Sequence, residues 1–124
     1  MGRLGFLQLA LLTGHNVRAL SDLAEHGDYD DGLLDPYGYE NEFTATHFFR
    51  REEFESLLAD NGISVRTVSG LEGLGSPFHD EEIRTRVEQL PAVERDAIVR
   101  TIDELREDPV VADLSIHMLA IGRA

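Results

Sequence analysis

Apolar side chains recur with a helical period over Arg50–Asp60, where Phe54, Leu57 and Leu58 share one side while Glu52, Glu53, Glu55 and Asp60 lie largely elsewhere. Asn61-Gly62 supplies a helix stop, because glycine enters the left-handed region without a Cβ penalty. Ile63, Val65 and Thr67 then alternate with Ser64, Arg66 and Val68 in a strand rhythm. A helix feeding through a two-residue turn into a strand is half of a βαβ crossover, so an earlier strand is expected. Leu4–Leu12 is the apolar run that could provide it, read as a strand over Arg3–Leu11, with Thr13-Gly14 as the break. Asn16 is placed to cap a helix carrying Val17, Leu20, Leu23 and Ala24, which Gly27 ends.

Asp28–Phe43 has no period. Acids, three tyrosines, glycines and a proline predict a long loop or cap of mostly irregular structure, and Thr44–Phe49 leads from it into the helix at Arg50. Beyond Leu71 comes a glycine-rich passage, Glu72–Gly75. Asp80 then caps a helix over Glu81–Leu90 with Ile83, Val87 and Leu90 inward. Pro91 separates it from a helix over Ala92–Glu107 with Ile98, Ile102 and Leu105 on one stripe, which Pro109 ends. Leu114–Gly122 reads as a last strand. Alternation of this kind predicts an α/β layered domain. Three strands make a thin sheet whose first strand has little to cover it, which predicts an open edge and a larger parent.

Charge changes the picture more than size does. The chain of 124 residues carries −13, and its eleven basic residues are all arginine. A surface this acidic repels itself in dilute salt, and at ~1 M salt the screening length falls to about 3 Å, so a salt-rich cytoplasm is the expected setting. A free-standing nucleic-acid binder needs a basic face and is disfavoured. Without cysteine there is no disulfide framework, thiolate metal site or cysteine nucleophile. Leu4–Leu12 is about half the ~20 residues of a membrane span and is interrupted by Gln8. It imitates a signal-peptide core, but no small-x-small cleavage site follows before Val17.

The order of parts resembles the carboxyl half of the class I S-adenosylmethionine-dependent methyltransferases. Met1-Gly2-Arg3-Leu4 is similar to the family's opening of its fifth strand. Glu52-Glu53 through Leu57-Leu58 to Asn61-Gly62, then Ile63–Val68 and Ile116–Ala120, continue the likeness. Gly14-His15-Asn16, Gly27-Asp28-Tyr29, Gly70-Leu71 and Glu107-Asp108-Pro109 resemble the tRNA carboxymethoxyuridine methyltransferases within it. The resemblance implies an α/β fold, a partial Rossmann-like methyltransferase sheet made of its last three strands, with a helical cap and inserted helices. Residues 1–124 would form the C-terminal part of one methyltransferase domain, 13–49 its substrate cap and 76–109 a helical insertion.

It further implies S-adenosylmethionine as the parent enzyme's cofactor and RNA or a small molecule as methyl acceptor. A missing N-terminal half, or a second copy on the open sheet edge, is the expected partner. Two features depart from the family. Arg50 stands where a Ser or Thr usually caps the helix. The glycine-rich cofactor loop and its ribose-binding acid are absent, and Gly70, Gly73 and Gly75 follow a strand without opening a strand-to-helix phosphate turn. No cofactor-binding residue is therefore assigned. The alternative reading is a non-catalytic binding or dimerisation module derived from such an enzyme.

Methyl transfer asks the protein mainly for orientation and a dry pocket. Residues past the first strand and in the cap are placed to touch an acceptor, namely His15, Asn16, Tyr29, Tyr37, Tyr39 and His47. The competing reading makes His15-Asn16 a turn with a helix cap, the tyrosines loop packing, His47 a packing residue beside Phe48-Phe49, and His117 part of the sheet. A calcium loop starting at Asp28 fails, because Gly32 falls fifth rather than sixth and Tyr39 stands where a bidentate Glu is required. The histidines lack metal-ligand spacing, so no metal is expected.

Overall fold

The computed structural model describes residues 1–124. The apolar opening run is a helix, α1 (Arg3–Thr13), which corrects the strand expected there. Its residues explain the outcome. Leu, Gln, Ala and Phe dominate and no β-branched residue occurs before Thr13, so local preference favours a helix, and an unbroken apolar run does not by itself separate the two. Gly5 lets α1 lie directly on another part of the backbone, since a Cβ there would come within 2.4 Å of the Ser115 carbonyl carbon. Phe6 and Ala10 face the core, while Leu11 and Leu12 are each 66% exposed.

After Gly14, left-handed at φ 72°, a 3-10 turn over Val17–Ala19 leads into α2 (Leu20–His26). Gly27 ends α2 at φ 82°, its N–H donating to the Leu23 carbonyl at 2.8 Å. The expected irregular loop is more ordered than its composition suggested. β1 (Asp28–Tyr29) pairs antiparallel with β2 (Thr46–His47). Between them lies α3 (Asp31–Leu34), whose Leu33 N–H donates to the Asp30 carboxylate at 3.0 Å. Phe6, Ala10, Ala19, Leu20, Leu23, Tyr29, Leu34 and Phe48 close one apolar core. Phe6 stacks on Phe48 at 4.2 Å between ring centroids and meets Tyr29 edge-on at 5.4 Å.

Arg3 is buried beneath this core. Its Nη2 donates to both Glu53 oxygens at 2.8 and 2.6 Å, and its Nε donates to the Phe48 carbonyl at 3.0 Å. Only glycine fits at position 27, because a Cβ would meet Arg3 Nη2 at 2.3 Å. The extended start joins both halves of the chain: Gly2 N–H donates to the Ile116 carbonyl at 2.7 Å and Arg3 N–H to that of Phe49 at 2.8 Å.

The second half begins with α4 (Arg51–Asp60), followed by β3 (Ser64–Gly70). Arg50 is the N-cap residue of α4 and has no side-chain hydroxyl or carboxylate to offer, and two carboxylates take over the task. Glu53 accepts from Arg50 N–H at 2.8 Å, and Asp113, distant in sequence, accepts from Arg51 N–H at 2.6 Å. A 3-10 stretch over Gly73–His79 precedes α5 (Glu81–Glu88), capped by Asp80 as expected, and α6 (Ala92–Leu105). Pro109 does not simply stop α6. It occupies the first turn of α7 (Pro109–Asp113), where its missing N–H costs nothing and Asp108 accepts from Val110 and Val111.

β4 (Met118–Arg123) pairs antiparallel with β3, register Gly70↔Met118 to Ser64↔Arg123 with an irregularity between Val65 and Thr67. The architecture is mixed α/β, but its strands form two separate two-stranded antiparallel sheets. The expected three-stranded sheet with an earlier partner for Ile63–Val68 is not formed, because the run that would have supplied that partner is helical.

Candidate functional site

Three of the six residues singled out from sequence meet at one point. Asn16 Nδ2 donates to the Tyr29 hydroxyl oxygen at 2.6 Å, and His15 Nε2 lies 3.2 Å from that oxygen and 3.3 Å from Asn16 Nδ2. The backbone explains how. Asn16 caps nothing with its side chain, which corrects the helix-cap reading. It adopts φ 47°, the only non-glycine residue in the left-handed region, and this turns its amide back across the end of α1 toward β1.

Of the three, only His15 lines a cleft, one of about 460 Å³ that it shares with Phe6, Leu9, Ala10, Thr13, Gly14, Glu42 and Phe43; Tyr29 itself is buried. Tyr29 has its ring edges against Phe6, Phe43 and Phe48, with the Phe43 centroid 6.0 Å away. Burial raises the Tyr29 hydroxyl above its usual pKa, the hydrogen bond from Asn16 opposes this, and the Glu42 charge adds to the rise. Tyr29 therefore stays a neutral phenol at physiological pH, receiving the Asn16 N–H with His15 Nε2 within hydrogen-bond distance of the same oxygen. An apolar cleft with a few convergent polar groups is the usual build of a small-ligand site.

The remaining candidates lie elsewhere. Tyr37 donates to Asp22 at 2.5 Å, which raises its pKa. Arg18 Nε donates to the Tyr39 oxygen at 3.2 Å and lies over that ring, lowering the Tyr39 pKa. These two tyrosines stack on each other 6.4 Å apart and pin the cap loop to α2. Both hydroxyls are already engaged within the chain. His47 is also engaged: Nδ1 lies 2.6 Å from Asp28 and its ring meets Phe49 edge-on.

Sequence reasoning missed Glu42 and Phe43 at the cleft mouth. They end an aperiodic loop, and no local pattern marks them. It also placed His117 in the sheet. His117 instead precedes β4 and pairs with Glu72, Nδ1 to Oε1 at 2.5 Å, while Ser115 Oγ donates to Glu72 Oε2 at 2.8 Å. Burial alone would raise the Glu72 carboxyl, but the His117 ring, the His117 N–H and the Ser115 hydroxyl together hold it down at about 2.

No group of three or more His, Asp or Glu side chains converges as a metal site would require. The glycines after β3 do not form a cofactor cradle either. A Cβ at Gly70 would meet Ser115 Cβ at 2.7 Å, one at Gly73 would meet Val111 at 3.3 Å, and one at Gly75 would meet Ile102 at 3.4 Å. Their space is occupied by the chain's own side chains. No family model, curated protein or solved structure matches the chain, so its site is read from its own geometry.

Proposed function

We propose that the cleft beside His15, Asn16 and Tyr29 holds the methyl acceptor of an S-adenosylmethionine-dependent methyltransferase, with this chain as its C-terminal, substrate-side part. The observation that carries the reading is an aromatic-walled cleft at the end of α1 lined by His15, whose ring is held by Asn16 and the buried Tyr29. A planar ring, such as a nucleobase from RNA or a small heteroaromatic molecule, is the acceptor class that suits Phe6 and Phe43 as apolar walls and His15 as the polar contact. The helix-to-strand order from α4 through β3 to a last strand β4 also agrees with the resemblance in the second half of the chain.

These residues do not fit the cofactor. The glycines that follow β3 are filled from within, so the cofactor belongs with residues outside this chain, and nothing here is assigned to transfer the methyl group. What the chain contributes is acceptor binding, orientation and exclusion of water. No helix is long and apolar enough to cross a membrane; a salt-rich cytoplasm is the setting we propose from the −13 charge.

Tyrosine fluorescence reports acceptor binding directly, since the chain has three tyrosines and no tryptophan. Uridine and adenosine titrated into the chain should quench Tyr29, and Phe43→Ala should weaken the better ligand by ~10-fold, the scale of one base–aromatic stack. Calorimetry should give no tight S-adenosylmethionine binding by this chain alone. Quenching unaffected by Phe43→Ala, or tight cofactor binding, would contradict the reading. The second reading, a non-catalytic binding or dimerisation module, is favoured by the exposed Leu11 and Leu12 and by the unpaired outer edges of the β3–β4 sheet. It predicts self-association and no nucleoside binding.

A further inference from the structure

A second cleft lies along α1, between that helix and the segment entering α5. It holds about 310 Å³ and is the more enclosed of the two. Leu9 and Leu12 form one wall, Pro77 and Ile83 the other, and Ile116 the floor. The α1 wall is fixed in place, because Gly5 rests on the Ser115 backbone with no room for a side chain. Leu12 at its lip is 66% exposed although its neighbours are apolar. Apolar surface left open in this way is the signature of an interaction face.

Charge decides what could cover it. The rim carries the carboxylates of Asp80 and Glu81 beside the imidazole of His79, and no arginine lines the cleft. Asp80 accepts from Ile83 N–H at 3.0 Å as the α5 cap, while Glu81 makes no ion pair. An apolar channel with an anionic rim complements a segment that carries apolar anchors flanked by Lys or Arg. A second copy of this chain is poorly suited to supply it: its 11 basic residues, none of them lysine, are set among 24 acidic ones. An acidic partner would set like charges against the rim carboxylates, and a neutral one would leave them without a counter-charge.

We propose that the cleft between α1 and α5 docks a cationic amphipathic segment of another protein, seated by apolar anchors between Leu12 and Ile83 and held by Asp80 and Glu81. The proposal is independent of what the Tyr29 cleft binds. Helix-in-groove recognition of this kind places anchors at i, i+4 and i+7.

The test uses two fluorescent helical peptides with leucine anchors at that spacing, one flanked by lysines and one by glutamates, and the full chain. At ~0.1 M salt the lysine peptide should bind at least about 10-fold tighter, and the preference should collapse near 1 M salt. Asp80→Asn with Glu81→Gln, which keeps an amide cap on α5, should erase the preference while the chain melts normally. Leu12→Glu, at an exposed position, should abolish binding of both peptides. Equal binding of the two peptides, binding insensitive to the rim variant, or sedimentation showing a dimer that Leu12→Glu dissolves would each overturn it.

Discussion

Residues 1–49 and residues 50–124 are built differently although their apolar content looks alike in the sequence. In the first, eight side chains from α1, α2, β1, α3 and the segment into α4 close around Leu23 and Leu34, both fully buried. In the second, α4, α5 and α6 contain no fully buried side chain. Val93, Val99, Leu119 and Ile121 all stand open, and the fully enclosed apolar residues are few: Val68, Val111, Ala112 and Ile116. The difference teaches that amphipathic periodicity forms a helix without guaranteeing that its stripe is covered. α5 and α6 pack on the 3-10 stretch over Gly73–His79, while α4 and α7 pack on β3, so the hairpin's apolar side has no second layer to cover it.

The largest consequence is in core substitutions. Leu23→Ala should cost about 2–5 kcal/mol, because it empties a site with no exposure, whereas Val99→Ala at 64% exposure should stay within about 0.5 kcal/mol. Urea melts of both variants check this. Similar losses from both would erase the contrast.

Next comes the ion pair that ties the two regions together. Glu53→Ala leaves the Arg3 guanidinium buried with only carbonyl partners, and should destabilise by about 2–3 kcal/mol. The figure lies below that of a fully enclosed pair because the Glu53 side chain is 42% exposed. In the native chain burial raises the Glu53 carboxyl, but the Arg50 N–H and the Arg3 and His47 groups outweigh it, so its pKa is lowered overall. A glutamine at position 53 keeps an acceptor for Arg3 and should recover part of the loss.

A smaller effect distinguishes the sheet end of the second region. Glu72 is held near 2 in the folded chain against 4.5 for a free carboxyl. Its contribution is therefore complete above pH ~4.5 and disappears as pH falls through about 2, since the unfolded chain takes up the proton first. After allowance for partial solvent exposure, about 1–2 kcal/mol is expected. The difference in stability between the native chain and Glu72→Gln isolates it, because the self-repulsion of the other carboxylates is common to both. A difference that persists unchanged at pH 2 would contradict the assignment.

What could be read from sequence was mostly local. The α4 helix, its Asn61-Gly62 stop, the strand that follows, the Asp80 cap and the Gly27 stop each depend on a few neighbouring residues, and all are present. The α1 helix was misread because an unbroken apolar run has no period. The absence of β-branched residues was the available signal, and it was outweighed by the expectation of an earlier strand. Asp113 capping α4 and Glu72 holding His117 join residues 62 and 45 positions apart, and no local pattern announces such pairs. At the site, His15, Asn16 and Tyr29 were legible as polar residues after an apolar element. Glu42 and Phe43 were not, since the fold of the loop alone carries them to the cleft.

Native-state hydrogen exchange on the full chain tests the contrast between the two regions most directly. Amides of α2, including the Gly27 N–H bonded to Leu23, should exchange only with global unfolding, while those of α5 and α6 should exchange through local opening at a much lower free energy. Protection in α6 equal to that in α2 would show that the second region closes a core of its own, and the account would fail.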